Sequence, residues 1–137
     1  MKSFNKQNTL LAVVIAALII FTSIFFIKSI SVEALESSIK IKGLYGIEIP
    51  YKDIVEIRGL DSLPFLGLKT NGINLGFMNI GMFTYKELGN VRLFEIRKEK
   101  PYIVIIGKDE KIVLGLGKEK NEEIFKILEE KINNVKK

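Results

Sequence analysis

The stretch IKIKGLYGIEIPYKDIVEIRGL, residues 39–60, decides the fold class. Ile39-Lys40-Ile41-Lys42 alternates apolar and charged side chains, so an extended segment here has one oily side and one wet side. Gly43 ends it. Ile47-Glu48-Ile49 alternates again, and Pro50, which has no N–H to give a ladder, closes that segment at a strand end. Beyond Asp53, residues 54–60 (IVEIRGL) make a third strand-like run. Short strands, punctuated by glycine and proline, are the signature of an all-β module.

The pattern continues downstream. Leu68-Lys69-Thr70 and residues 73–77 (INLGF) flank Asn71-Gly72, a dipeptide that favours tight hairpins, so a turn is expected there. Residues 81–87 (GMFTYKE) follow, and Leu88-Gly89-Asn90 reads as the next turn. In residues 91–97 (VRLFEIR) the apolar parity shifts between Leu93 and Phe94, which implies a bulge or a strand covered on both faces. Residues 102–106 (YIVII) form an unbroken apolar run typical of a central strand, and Asp109-Glu110 turns the chain into Ile112-Val113-Leu114. About seven strands at this spacing imply a small barrel or sandwich.

The last segment changes period. Ile124, Leu128 and Ile132 recur at i, i+4 and i+8, with Phe125 and Ile127 widening the stripe, so an amphipathic helix packs on the strands. Asn121 is the expected N-cap, with Glu122 and Glu123 in the first turn. The expected fold is therefore mainly β, capped by a C-terminal α-helix.

Upstream lies a different kind of sequence. Residues 10–27 (LLAVVIAALIIFTSIFFI) carry no charge and are apolar around the whole circumference of a helix. At 1.5 Å per residue this run covers ~27 Å, close to a ~30 Å hydrocarbon core. The expected parts are thus a transmembrane anchor over residues 1–28, a juxtamembrane linker over 29–38 and a domain over 39–137. A cleaved signal peptide is the competing reading, with Val32-Glu33-Ala34 placing small residues at the −3 and −1 positions. Against it, the apolar run exceeds the usual ~7–15 residues and Lys28 lies between the run and the cut. Lys2 and Lys6 precede the span, whereas Lys28 and then Glu33 and Glu36 follow it. The positive-inside rule then favours a single-pass protein of the cell membrane, N-terminus cytoplasmic and C-terminal domain extracytoplasmic.

Residues 43–51 (GLYGIEIPY) resemble the opening of a bacterial pleckstrin-homology-like domain family found in small membrane-anchored proteins. So do Lys69-Thr70-Asn71-Gly72, then Gly76 and Gly81-Met82-Phe83. Pro101-Tyr102-Ile103-Val104-Ile105 and the final helix are similar to the family's last third. The likeness runs from Ile39 to Ile132 and rests on glycine and aromatic positions that specify turns and packing. It implies a PH-like barrel acting as a binding or regulatory module, and brings no catalytic residues with it.

The chemistry that composition leaves is narrow. The chain has no cysteine and no histidine, so thiolate and imidazole catalysis and the commonest zinc sites are excluded, and no metal or cofactor is expected. All 16 acidic residues follow Lys28, leaving 18 basic residues against them and a net charge of +2 after that point. With no clustered Lys and Arg there, a nucleic-acid partner is not expected. Gly115-Leu116-Gly117-Lys118 lacks phosphate-loop spacing and reads as the turn into the last helix. Neither Glu129-Glu130 nor Asp109-Glu110 offers the burial a catalytic carboxyl needs, so the chain is expected not to be an enzyme.

Three residues stand out as contact candidates. Lys40 and Lys42 share one face of the first strand and suit an anionic lipid headgroup, at up to ~1 kcal/mol per basic residue. The plainer reading makes them the wet face of an edge strand. Phe65, in the Leu63-Pro64-Phe65-Leu66-Gly67 loop, is expected to be exposed and partner-facing. The favoured function is a membrane-anchored module docking a protein partner through a strand edge or loop. Lipid-headgroup binding through Lys40 and Lys42 is one alternative, and a small subunit of a membrane complex is another.

Overall fold

A computed structural model describes residues 5–64 and 68–137. Within them, nine strands form two sheets between two helices, where the sequence suggested about seven strands. The first sheet has three antiparallel strands in chain order: β1 (Ser31–Ala34), β2 (Ser38–Lys42) and β3 (Ile47–Pro50). The second has six: β4 (Ile54–Leu60), β5 (Leu68–Asn74), β6 (Asn79–Tyr85), β7 (Gly89–Glu95), β8 (Tyr102–Gly107) and β9 (Lys111–Gly115). Their order is β4-β8-β9-β7-β6-β5, antiparallel except where β9 runs parallel to β7. Helix α1 (Lys6–Ser29) precedes the sheets and α2 (Lys118–Val135) follows them. The architecture is mainly β with a C-terminal helix, as the strand periodicity required.

Two apolar clusters follow from the period-2 alternation of the strands. Ile39, Ile41 and Ile49 of the first sheet face Ile80, Phe94, Ile103, Ile105, Ile112 and Leu114 of the second, and α2 adds Ile124, Leu128 and Ile132. On the opposite face of the second sheet, Phe83, Tyr85, Val91, Leu93, Tyr102, Val104 and Val113 make a second cluster. Phe94 thus belongs to one cluster and Leu93 to the other. The register of β6 on β7 is unbroken there. Of the two readings of that parity shift, coverage on both faces is the one realised.

Four local expectations are corrected. Asn71-Gly72 is not a turn but the middle of β5. Gly72 faces Gly81 across the ladder, and a Cβ on Gly81 would meet the Asn71 carbonyl oxygen and come within 2.5 Å of the Gly72 Cα. The two glycines serve close backbone approach, and the hairpin closes instead at Leu75, whose N–H donates to the Met78 carbonyl at 2.9 Å. The turn after β6 is Lys86-Glu87-Leu88, two residues earlier than expected, with Gly89 opening β7 at φ 74°.

The stretch read as a juxtamembrane linker contains β1, paired with β2 from Ser31↔Lys42 to Ala34↔Ile39. Only one of its side chains, Val32, packs against the core, too little for an alternation to be seen. Finally, α2 begins at Lys118 with Gly117 as its cap, and Asn121 lies inside the helix, fully buried. Its amide bonds across to other elements rather than to its own first turn.

Helix α1 carries the charge-free run and has a mean hydropathy of 3.0 over its best window, long and apolar enough to cross a membrane. Its Thr22 and Ser23 hydroxyls donate back to helix carbonyls, Thr22 to Leu18 at 2.9 Å and Ser23 to Ile19 at 2.7 Å. That removes the cost of unpaired hydroxyls in an apolar setting.

Candidate functional site

Of the sequence-derived candidates, Lys40 and Lys42 fall among the described residues. Phe65 lies outside the described residues. Lys40 and Lys42 are exposed on β2, but β2 is the middle strand of its sheet, so protection of an edge is not their role. Lys40 sits between Glu33 on β1 and Glu48 on β3 in the cross-strand register. The Lys42 ammonium reaches the Glu33 carboxylate at 2.6 Å. This hydrogen bond and the lysine's charge hold the Glu33 carboxyl below its ordinary range. Glu48 accepts a 2.6 Å hydrogen bond from the Ser38 hydroxyl. Two lysines and two carboxylates therefore share one face, a balanced pattern of opposite charges across strands rather than a basic patch.

A groove lies elsewhere, between the outer edge of the six-stranded sheet and α2. Strand β4 pairs with β8 on its inner side, and no described strand pairs with its outer side. The ladder shifts register between Ile54 and Glu56, a bulge that leaves Val55 60% exposed. Such an edge presents unpaired N–H and C=O groups, the template on which an extended segment adds. Further along β4, Gly59 has no side chain; even a Cβ there would meet nothing nearer than 3.9 Å. The resulting cavity measures about 670 Å³, with Pro101, Ile103 and Phe125 forming apolar walls. Glu119, Glu122 and Glu123 of α2 line its helix side, with Lys126 beyond them.

Asn121 sets the geometry of that groove. Its Nδ2 donates to the carbonyls of Pro101 at 2.8 Å and Leu114 at 3.0 Å, and its Oδ1 accepts from the Leu116 N–H at 3.2 Å. One buried amide thus ties the first turn of α2 to the end of β9 and to the residue before β8. Sequence reasoning assigned Asn121 to capping and missed this. The available signal was its position, one helical turn before Phe125 and three residues before Ile124, which puts it on or beside the buried stripe.

A second polar cluster sits on the other face of the six-stranded sheet. Glu95 is 3% exposed, and its two carboxylate oxygens accept hydrogen bonds from Asn79 Nδ2 at 2.7 Å and the Tyr102 hydroxyl at 2.8 Å. Burial, then that hydrogen bond and the Glu95 charge, push the Tyr102 hydroxyl well above its ordinary range. Tyr85 is pushed up to about 12, by burial first and by the Glu95 charge second. A buried carboxylate at the end of a β-strand leaves little trace in sequence, and no expectation pointed to it. Among the described residues, no group of three or more acidic side chains is placed to hold a metal ion.

A family model described as Bacterial PH domain matches residues 29–132. No curated protein and no solved structure matches the chain.

Proposed function

The chain belongs to the bacterial PH domain family, and from that premise we propose that it is a non-catalytic docking module, anchored by α1, that holds an extended segment of a protein partner along β4. The observation that carries this reading is the open β4 edge beside an apolar groove of about 670 Å³. Main-chain hydrogen bonds to an edge give affinity with little demand on sequence, and the groove beside it reads every second side chain. Three glutamates against one lysine along the helix side favour a segment carrying basic side chains. In this reading α1 sits in the cell membrane with the N-terminus cytoplasmic and the domain outside.

The lipid-headgroup reading has less to support it. Glu33 and Glu48 offset Lys40 and Lys42, and anionic lipid gains from uncompensated basic charge. The test is site-specific photocrosslinking in cells from the full-length chain, with the probe at Val55, at Lys40 or at Glu87. Protein adducts from Val55 alone support docking on β4. Adducts to lipid from Lys40, with none from Val55, would move the site to the first sheet.

A further inference from the structure

The cavity at Glu95 is separate from the β4 groove and from the first sheet, and nothing in the docking reading uses it. It measures about 380 Å³, within the range of small-molecule sites, and its walls include Glu95, Asn79, Tyr85, Tyr102, Phe83 and Lys98. We propose that this cavity is a binding site for a primary ammonium group, such as that of an alkylamine or a lysine side chain.

Three observations converge on that chemistry. The first is charge. A carboxylate that is 3% exposed is costly unless a cation or a full set of donors compensates it. None of the ion pairs among the described residues includes Glu95. The second is hydrogen-bond capacity. An ionised carboxylate accepts about four hydrogen bonds, and Asn79 and Tyr102 supply one to each oxygen. Beside it, Asn79 Oδ1 is buried with no partner among the described residues.

Asn79 and Glu95 are direct register partners on β6 and β7, so both acceptors project from the same face into the same space. An ammonium brings three donors and no acceptor, which matches a carboxylate with open lone pairs next to an orphaned amide oxygen. The third observation is the wall. The rings of Phe83, Tyr85 and Tyr102 border the cavity and favour a cation over a neutral donor.

Lys98 is the local competitor. It is exposed and lines the cavity without an ion pair to Glu95, so its charge raises the cost of bringing in a second cation.

The experiment titrates the full-length chain in nonionic detergent with n-butylammonium, and in parallel with tetramethylammonium, at constant ionic strength. The chain has four tyrosines and no tryptophan, so its emission comes from tyrosine, and two of the four, Tyr85 and Tyr102, line the cavity; calorimetry is the second readout. The expected result is saturable binding of n-butylammonium and at least about tenfold weaker binding of tetramethylammonium, which has no N–H to donate. Glu95→Gln keeps the shape and removes the charge; it should weaken n-butylammonium about tenfold or more. Lys98→Ala should bind as tightly as the parent chain or tighter.

The proposal is overturned by any of three results: no saturable response of the parent chain, equal affinity for the two ions, or unchanged affinity in folded Glu95→Gln. Should that variant fail to fold, the selectivity of the parent chain for the primary ion and the Lys98→Ala result decide the matter alone.

Discussion

At the scale of the residue, the consequential side chains are polar ones that the fold buries. Asn121→Ala removes three hydrogen bonds and leaves the Pro101 and Leu114 carbonyls and the Leu116 N–H without their partner. We expect a loss of about 2–3 kcal/mol in urea unfolding. Asn121→Asp should be worse, because its oxygens would face two carbonyls. Tyr85 supplies a pH dependence. Its ordinary value is 10.0 and the folded chain raises it to about 12, so the folded state holds that proton more tightly than the unfolded state. The contribution is complete below pH 10 and is lost as pH rises toward about 12. The urea midpoint should therefore fall with rising pH across that window, and Tyr85→Phe should decline less steeply. A slope unchanged in Tyr85→Phe would assign the effect to other tyrosines. Neither Asn121 nor Glu95 was legible as functional in the sequence. Asn121 had the right place for a cap, and Glu95 looked like any charged residue in an apolar strand, because burial depends on neighbours far along the chain.

At the scale of the element, the strands were legible wherever alternation ran for several residues. In β2, Ile39 and Ile41 face the core and Lys40 and Lys42 face out, as their spacing required. The same parity rule separated Leu93 from Phe94 into two clusters. Local turn chemistry misled where tertiary contact overrode it. Asn71-Gly72 has hairpin composition, yet Gly72 exists to face Gly81, with Gly81 itself at φ 134°. A methyl at Gly81 has nowhere to go, since its nearest contacts are backbone atoms of β5 that cannot rotate away. Gly81→Ala should cost about 3 kcal/mol or more, adding backbone strain to overlap. Hydrogen exchange should locate that loss in β5, the outer strand of its sheet, before β7 or β9. Uniform loss of protection across all six strands would mean that β5 unfolds only with the whole sheet. The open β4 edge could not be seen from sequence at all, because which strand ends a sheet is a property of the order β4-β8-β9-β7-β6-β5 and of no single segment.

At the scale of the whole molecule, helix α1 and the domain are joined without slack. Helix α1 ends at Ser29 and β1 starts at Ser31, with Ile30 between them buried at 4%. Phe26 and Ile27 pack against the same core cluster. In the proposed anchoring, the apolar residues 10–25 are left for lipid and cover about 24 Å, somewhat less than one ~30 Å hydrocarbon thickness. The domain should therefore rest against the membrane surface, with Lys28 at the boundary. This geometry also bears on the choice between anchor and signal peptide. A cut after Ala34 would remove Ile30 and the whole of β1, taking Ile30 and Val32 from the core and leaving β2 as a new sheet edge. We expect the intact mass of the protein purified from membranes to include residues 1–34. The chain has no cysteine, so single cysteines can map the boundary without a background. With a membrane-impermeant maleimide on intact cells, cysteine at Lys28 or Glu36 should label, and cysteine at Ile20 or Asn5 should not. Labelling at Asn5 with protection at Glu36 would invert the orientation and turn the search for partners to the cytoplasm. Labelling at Ile20 would mean that the helix does not span, and the anchoring itself would have to be given up.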